Sequence, residues 1–127
     1  GYKKKVLNND YDFRKFSNLG YKTSFGNKPY DINYITGSKK KHFVACLVNK
    51  TSKIKMKIFS NQPGLQLYTG HKLNFKSKQK KLSAFQGLCL ETQHFPNSPH
   101  QKNFPSTLAL PNKKYRLFTN YKFEKII

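Results

Sequence analysis

The chain has 127 residues, enough for at most one domain. It contains no apolar run of about 18 residues, which excludes a membrane-spanning helix, and its basic start, Gly-Tyr-Lys-Lys-Lys, lacks the apolar stretch of a secretory signal. Its 25 Lys and Arg against 5 Asp and Glu give a net charge of +20. Charge of that size suggests a nucleic acid or an acidic surface as partner. Yet only Arg14 and Arg116 are arginines, whereas phosphate and base-edge recognition favours arginine forks. The abundance of Asn, Ile, Tyr and Phe beside Lys fits a compositionally biased genome, so the lysines read as solvated faces and a nucleic-acid partner is not favoured. Cys46 and Cys89 lie in apolar, strand-like segments and read as buried thiols of a reducing, cytoplasmic compartment, although sequence leaves a disulfide open.

In chain order, residues 1–9 read as a basic loop or frayed edge. Asp12 and Arg14, two apart, are placed to pair on one strand face, a contact worth about 0–1 kcal/mol at a surface. Residues 18–28, with Gly20 and Gly26, read as a loop, followed by Pro29-Tyr30-Asp31-Ile32-Asn33-Tyr34-Ile35. A lone Asp at that position reads, from the residues alone, as a turn or cap. Residues 37–41 form a basic turn and His42 to Val48 a strand candidate. His42 and Cys46 share a strand face there, but two residues make no zinc site and no metal is expected. Asn49-Lys50-Thr51 has the glycosylation spacing, without a secretory context to give it meaning. Asn49 to Ser52 is a hairpin turn. Beyond it Ile54, Met56 and Ile58 alternate with Lys53, Lys55 and Lys57, the plainest half-buried strand of the chain, with its lysine face turned to solvent.

Pro63-Gly64 signals a turn, after which Leu65, Leu67 and Thr69 alternate with Gln66 and Tyr68. Residues 72–83 are lysine-rich and read as a solvated loop. Leu88, Leu90 and Thr92 alternate with Cys89, Glu91 and Gln93, so a strand sends Glu91 to one face, flanked by Cys89 and Gln93. Pro96 and Pro99 end regular pairing and impose a loop. A carboxylate on a rigid strand before a stiff polar loop is a common way to build a site. Tyr115, Leu117, Thr119, Tyr121 and Phe123 alternate in a closing strand. No helical period persists, and the whole reads as all-β with short strands and Gly/Pro turns.

Gly87-Leu-Cys-Leu-Glu91-Thr-Gln-His-Phe-Pro96 closely resembles the C-terminal signature of the aldose 1-epimerase (galactose mutarotase) family. Asp12-Phe13-Arg14, Tyr30-Asp31-x-Asn33, the stretch Pro63-Gly64-Leu65-Gln66-Leu67-Tyr68-Thr69-Gly70 and Asn103-Phe104-Pro105 extend the likeness over most of the chain. Pro29, Ile32 and His71 stand where that family usually has Gly, His and Asn. The resemblance implies an antiparallel β-sandwich of the galactose mutarotase type, of which residues 1–127 would be a single partial domain, the C-terminal part. It implies Glu91 as general base, a role it suits if partly buried, and Asp31 and Gln66 as ligands of sugar hydroxyls. The implied activity is the interconversion of α and β anomers of hexoses such as galactose and glucose, with no cofactor and no metal.

The family also uses an Asn-Arg pair and two His, one of them the general acid, upstream of the region seen here. His42, His71, His94 and His100 sit at unrelated positions. The resemblance therefore implies impaired activity for this chain alone, and self-association through strand edges left uncovered. Two alternatives stand beside the enzyme: a non-catalytic carbohydrate-binding remnant using Asp31, Gln66, Tyr68 and Phe95, and a basic nucleic-acid-binding module.

Overall fold

The alternation of Ile54, Met56 and Ile58 with lysines does form a strand, and that strand is the middle of a sheet. A computed structural model describes residues 1–7, 9–19, 29–37 and 40–127. The expected loop over residues 18–28 lies outside the described residues from Gly20 onward, and the expected basic turn at 37–41 lies partly outside them. The elements described are β1 (Asp31–Ile35), β2 (His42–Asn49), β3 (Ile54–Ser60), β4 (Gly64–Tyr68), β5 (Phe75–Lys76), β6 (Lys81–Leu82), β7 (Cys89–Gln93), a 3-10 turn (Ser98–His100) and β8 (Thr119–Lys125). The chain is all-β, as expected, with antiparallel sheets ordered β1-β4-β7, β2-β3-β8 and β5-β6.

The residues group into two compact units, 1–32 with 67–89, and 33–66 with 90–127. In the first, Tyr30 is only 2% exposed. Its ring meets Tyr11 and Phe13 edge to face, and its hydroxyl donates to the Asp10 carbonyl (2.7 Å). Its backbone N–H donates to Thr69 Oγ1 (3.0 Å), and its carbonyl accepts from Thr69 N–H (3.0 Å). Asp12 and Arg14 pair at 2.7 Å as expected, but in a turn rather than a strand, because the Arg14 backbone N–H also donates to the Asp12 carboxylate. Residues 72–83 contain the short β5–β6 hairpin rather than a featureless loop. Its turn is closed by Ser77, whose Oγ accepts from the N–H groups of Gln79 and Lys80.

In the second unit β3 pairs with β2 on one side and β8 on the other. One face of this sheet carries Met56 opposite Leu47 and Phe123, and Ile58 opposite Ala45 and Tyr121. Ile58 and Ser60 are fully buried, while Phe123 at the other end of the same face is 66% exposed. A bulge between Phe43 and Ala45 shifts the register, so His42 stands opposite Ser60 while Cys46 stands opposite Lys57. The inserted residue puts His42 and Cys46 on opposite faces, contrary to the simple alternation read from sequence. Both cysteines are free, but Cys46 is only half-buried and Cys89 is exposed, so neither is the buried thiol expected.

The lysine face is corrected too. β3 is a central strand, and its Lys55 and Lys57 are half-buried around Glu124 of β8, at 3.3 and 3.0 Å, with Lys122 at 3.2 Å. Hydrogen bonds from Lys57, then Lys122, then Lys55 outweigh the effect of burial and lower the Glu124 carboxyl from 4.5 to about 2. A carboxyl held below its unfolded value stabilises the fold above that value and loses its contribution as the pH falls through the folded one. Thermal unfolding of the chain and of Glu124→Gln should therefore differ above about pH 4.5, the native chain being more stable, and converge as the pH drops toward about 2. A difference constant down to pH 2 would contradict the ion cluster.

Candidate functional site

β1 and β4 are antiparallel neighbours. Thr36 N–H donates to the Pro63 carbonyl (2.9 Å) and Thr69 N–H to the Tyr30 carbonyl (3.0 Å), and the constant sum of these pairs sets Asn33 opposite Gln66, on one face. Gly64, two residues from Gln66, belongs to that face as well. A Cβ added to Gly64 would lie 2.6 Å from Asn33 Nδ2, 2.9 Å from Asn33 Oδ1 and 3.0 Å from Phe95 Cδ1. Gly64 is thus a strand residue over which other side chains pass. The turn read from Pro63-Gly64 is corrected: the glycine is required by close approach, not by a positive φ.

Through that gap β7 reaches β1. Gln93 Nε2 donates to Asn33 Oδ1 (3.2 Å), although β4 lies between the two strands. Gln93 therefore projects on the Asn33 face, and Glu91, two residues earlier on β7, projects there with it. In the second unit one sheet face thus collects Asn33, Gln66, Glu91 and Gln93. The opposite side carries buried Leu65, half-buried Leu90 and Thr92, whose hydroxyl meets that of Thr119 on β8.

The three residues singled out from sequence fall as follows. Gln66 is half-buried on β4 and Glu91 exposed on the neighbouring β7, on a shared face. Asp31 is exposed at the first position of β1, in the other compact unit. Glu91 is exposed rather than partly buried. All five acidic residues of the chain are described. Asp12 pairs with Arg14, Glu124 with three lysines, and Asp10 and Asp31 each engage neighbours, but Glu91 makes no hydrogen bond or ion pair with the described residues. In a chain of charge +20, one carboxylate has been left open to solvent.

The loop after β7 is held firmly. Phe95 is buried edge to face on Phe104, its carbonyl accepts from Ser98 Oγ (2.6 Å), and Asn97 takes a positive φ of 60°. His94 ends a chain of oriented amides. The Phe118 N–H donates to Asn61 Oδ1 (2.9 Å), and Asn61 Nδ2 donates to the Arg116 carbonyl (2.9 Å). Gln62 must then turn its Nε2 to Asn61 Oδ1 (3.2 Å) and its Oε1 to His94 Nδ1 (3.1 Å). The His94 proton therefore sits on Nδ1, fixed from a backbone group outward.

Sequence reasoning passed over Gly64, Asn33 and Gln93 as site residues. The spacing of two between Glu91 and Gln93, and between Asp31 and Asn33, was the signal available. What it lacked was the crossing over Gly64.

The sequence model of the aldose 1-epimerase family matches residues 1–122, and the chain belongs to that family. It is similar to galactose mutarotase of Homo sapiens, at 36% identity over 118 residues that cover 89% of this chain and 34% of the human protein. The mouse galactose mutarotase is 35% identical over the same shares. An aldose 1-epimerase of Escherichia coli is 28% identical over 102 residues, 76% of this chain and 30% of the bacterial protein. The chain spans about a third of the length of these relatives.

Gly64→Ala tests the crossing. The added methyl must displace Asn33 or Phe95, an overpacking that costs about 1–3 kcal/mol. Urea unfolding should show that loss, and the side-chain amide resonances of Asn33 and Gln93 should shift together. Unchanged amide resonances would mean that the two do not meet over Gly64.

Proposed function

We propose that the Glu91 face is the carbohydrate site of an aldose 1-epimerase, with Glu91 as the base that interconverts the α and β anomers of a hexose such as galactose or glucose. The observation that carries this reading is the carboxylate itself, which pairs with no cation among the described residues and is set on a strand face with the Asn33, Gln66 and Gln93 amides. Glu91 takes the proton of the C1 hydroxyl, the bond between C1 and the ring oxygen breaks, and the ring oxygen gains a proton. Rotation about the C1–C2 bond and the reverse steps close the ring on the other face of the carbonyl. Gln66 both donates and accepts, which suits sugar hydroxyls. The reaction requires no metal or cofactor.

The four histidines have other engagements. His42 bonds to the Lys40 carbonyl and Thr36, His71 packs on Tyr68, His94 bonds to Gln62, and His100 to Asn97. We assign none of them the role of the acid. Water then protonates the ring oxygen in this chain, and the rate forgoes the roughly 10²–10⁴-fold that a positioned acid contributes. Glu91 is also exposed, with no cover from the strands beside it.

That same exposure favours a second reading, in which the face binds sugar without turning it over. Polarimetry of freshly dissolved α-D-galactose and α-D-glucose separates the two. Acceleration over buffer that disappears in Glu91→Gln supports the epimerase. Sugar binding retained in both proteins with no acceleration in either supports the binding module and sinks the enzymatic role of these 127 residues.

A further inference from the structure

The hydrogen bond over Gly64 fixes more than the position of β7. Asn33 Nδ2 donates to the Tyr34 carbonyl (3.2 Å), so the Asn33 atom turned toward β7 is the acceptor Oδ1. Gln93 must answer with its donor Nε2, at 3.2 Å, and its Oε1 is thereby turned to the other side of the amide plane. Gln93 is half-buried, and its Oε1 accepts no hydrogen bond from the described residues. An acceptor with fixed orientation therefore stands on the same strand face as Glu91, two residues away. Two residues of strand separate the side chains by about 7 Å, which is close to the span from the C1 hydroxyl of a pyranose to the hydroxyls across the ring.

We propose that Gln93 is a sugar-binding residue whose Oε1 accepts a hydrogen bond from a hydroxyl on C3 or C4 of the aldose whose C1 hydroxyl meets Glu91. The assignment rests on the carbohydrate reading of this face and adds to it a direction for the sugar: C1 toward the start of β7, the far edge of the ring toward its end. The C2 hydroxyl is too near C1 to reach Gln93. Asn33 acts through Gln93, as a positioning residue that keeps the acceptor turned outward.

The test is the binding of galactose and its 2-deoxy, 3-deoxy and 4-deoxy analogues, measured by saturation-transfer NMR on the full chain carrying Glu91→Gln to prevent turnover. Adding Gln93→Met should weaken galactose and 2-deoxygalactose about three- to tenfold, the effect of one neutral hydrogen bond. It should leave one of the 3-deoxy and 4-deoxy analogues unchanged, because that analogue has no hydroxyl to lose. Equal weakening of all four sugars, or of none, overturns the assignment while leaving the carbohydrate reading in place. Failure of galactose to bind the native chain, with Glu91 and Gln93 both in place, overturns both. Should Gln93→Met lose the dispersed amide spectrum of the fold, Asn33→Ala carries the test. Releasing the amide should reproduce the same analogue-specific pattern, and an unaltered pattern would overturn the oriented acceptor.

Discussion

The polar face depends on a side chain that is missing. At Gly64 a single methyl group would collide with Asn33 and Phe95, and because it is absent β1 and β7 join across the strand between them. One glycine thereby admits the Asn33–Gln93 bond and leaves room for the Phe95 ring. Interiors at close-packed density leave no room for a compromise at such a place.

Charge follows a similar economy. With five acidic residues among so many lysines, each carboxylate has ample opportunity to be neutralised. Glu124 is gripped by three ammonium groups on the β3–β8 ladder, where register fixes who meets whom. Glu91 makes no such pair among the described residues, and the residues described beside it on that face, Asn33, Gln66 and Gln93, are amides. Amides offer a sugar donors and acceptors without competing for the carboxylate's charge, whereas a lysine placed there would have closed the site with an ion pair. The aldose 1-epimerase family model matches residues 1–122 of the chain.

Strand content was legible because alternation reports burial on one face, and β2, β3, β4 and β7 follow it. What alternation cannot report is which strand lies beside which. The lysines of β3 looked solvent-facing until β8 brought Glu124 against them. The faces of His42 and Cys46 depended on one inserted residue in β2 that leaves no mark on the sequence. The closing strand begins only at Thr119, because residues 115–118 alternate but pair through Asn61, whose side chain substitutes for a strand neighbour. Asn103-Phe104-Pro105 leads into residues 106–110 without a strand. At the site, the position of Glu91 on a strand face was readable. Its exposure was not, since cover is supplied by distant segments rather than by neighbours.

The chain has only two glutamates, Glu91 and Glu124, so carbon-13 labelling of the glutamate carboxyl gives two resonances that Glu91→Gln assigns. Titrating galactose into the labelled chain is the most direct measurement of the central claim, that the open carboxylate on the amide face is where the sugar meets the protein. The account predicts a saturable shift of the Glu91 resonance with Glu124 unmoved. Two stationary resonances, or a shift at Glu124 alone, would contradict it.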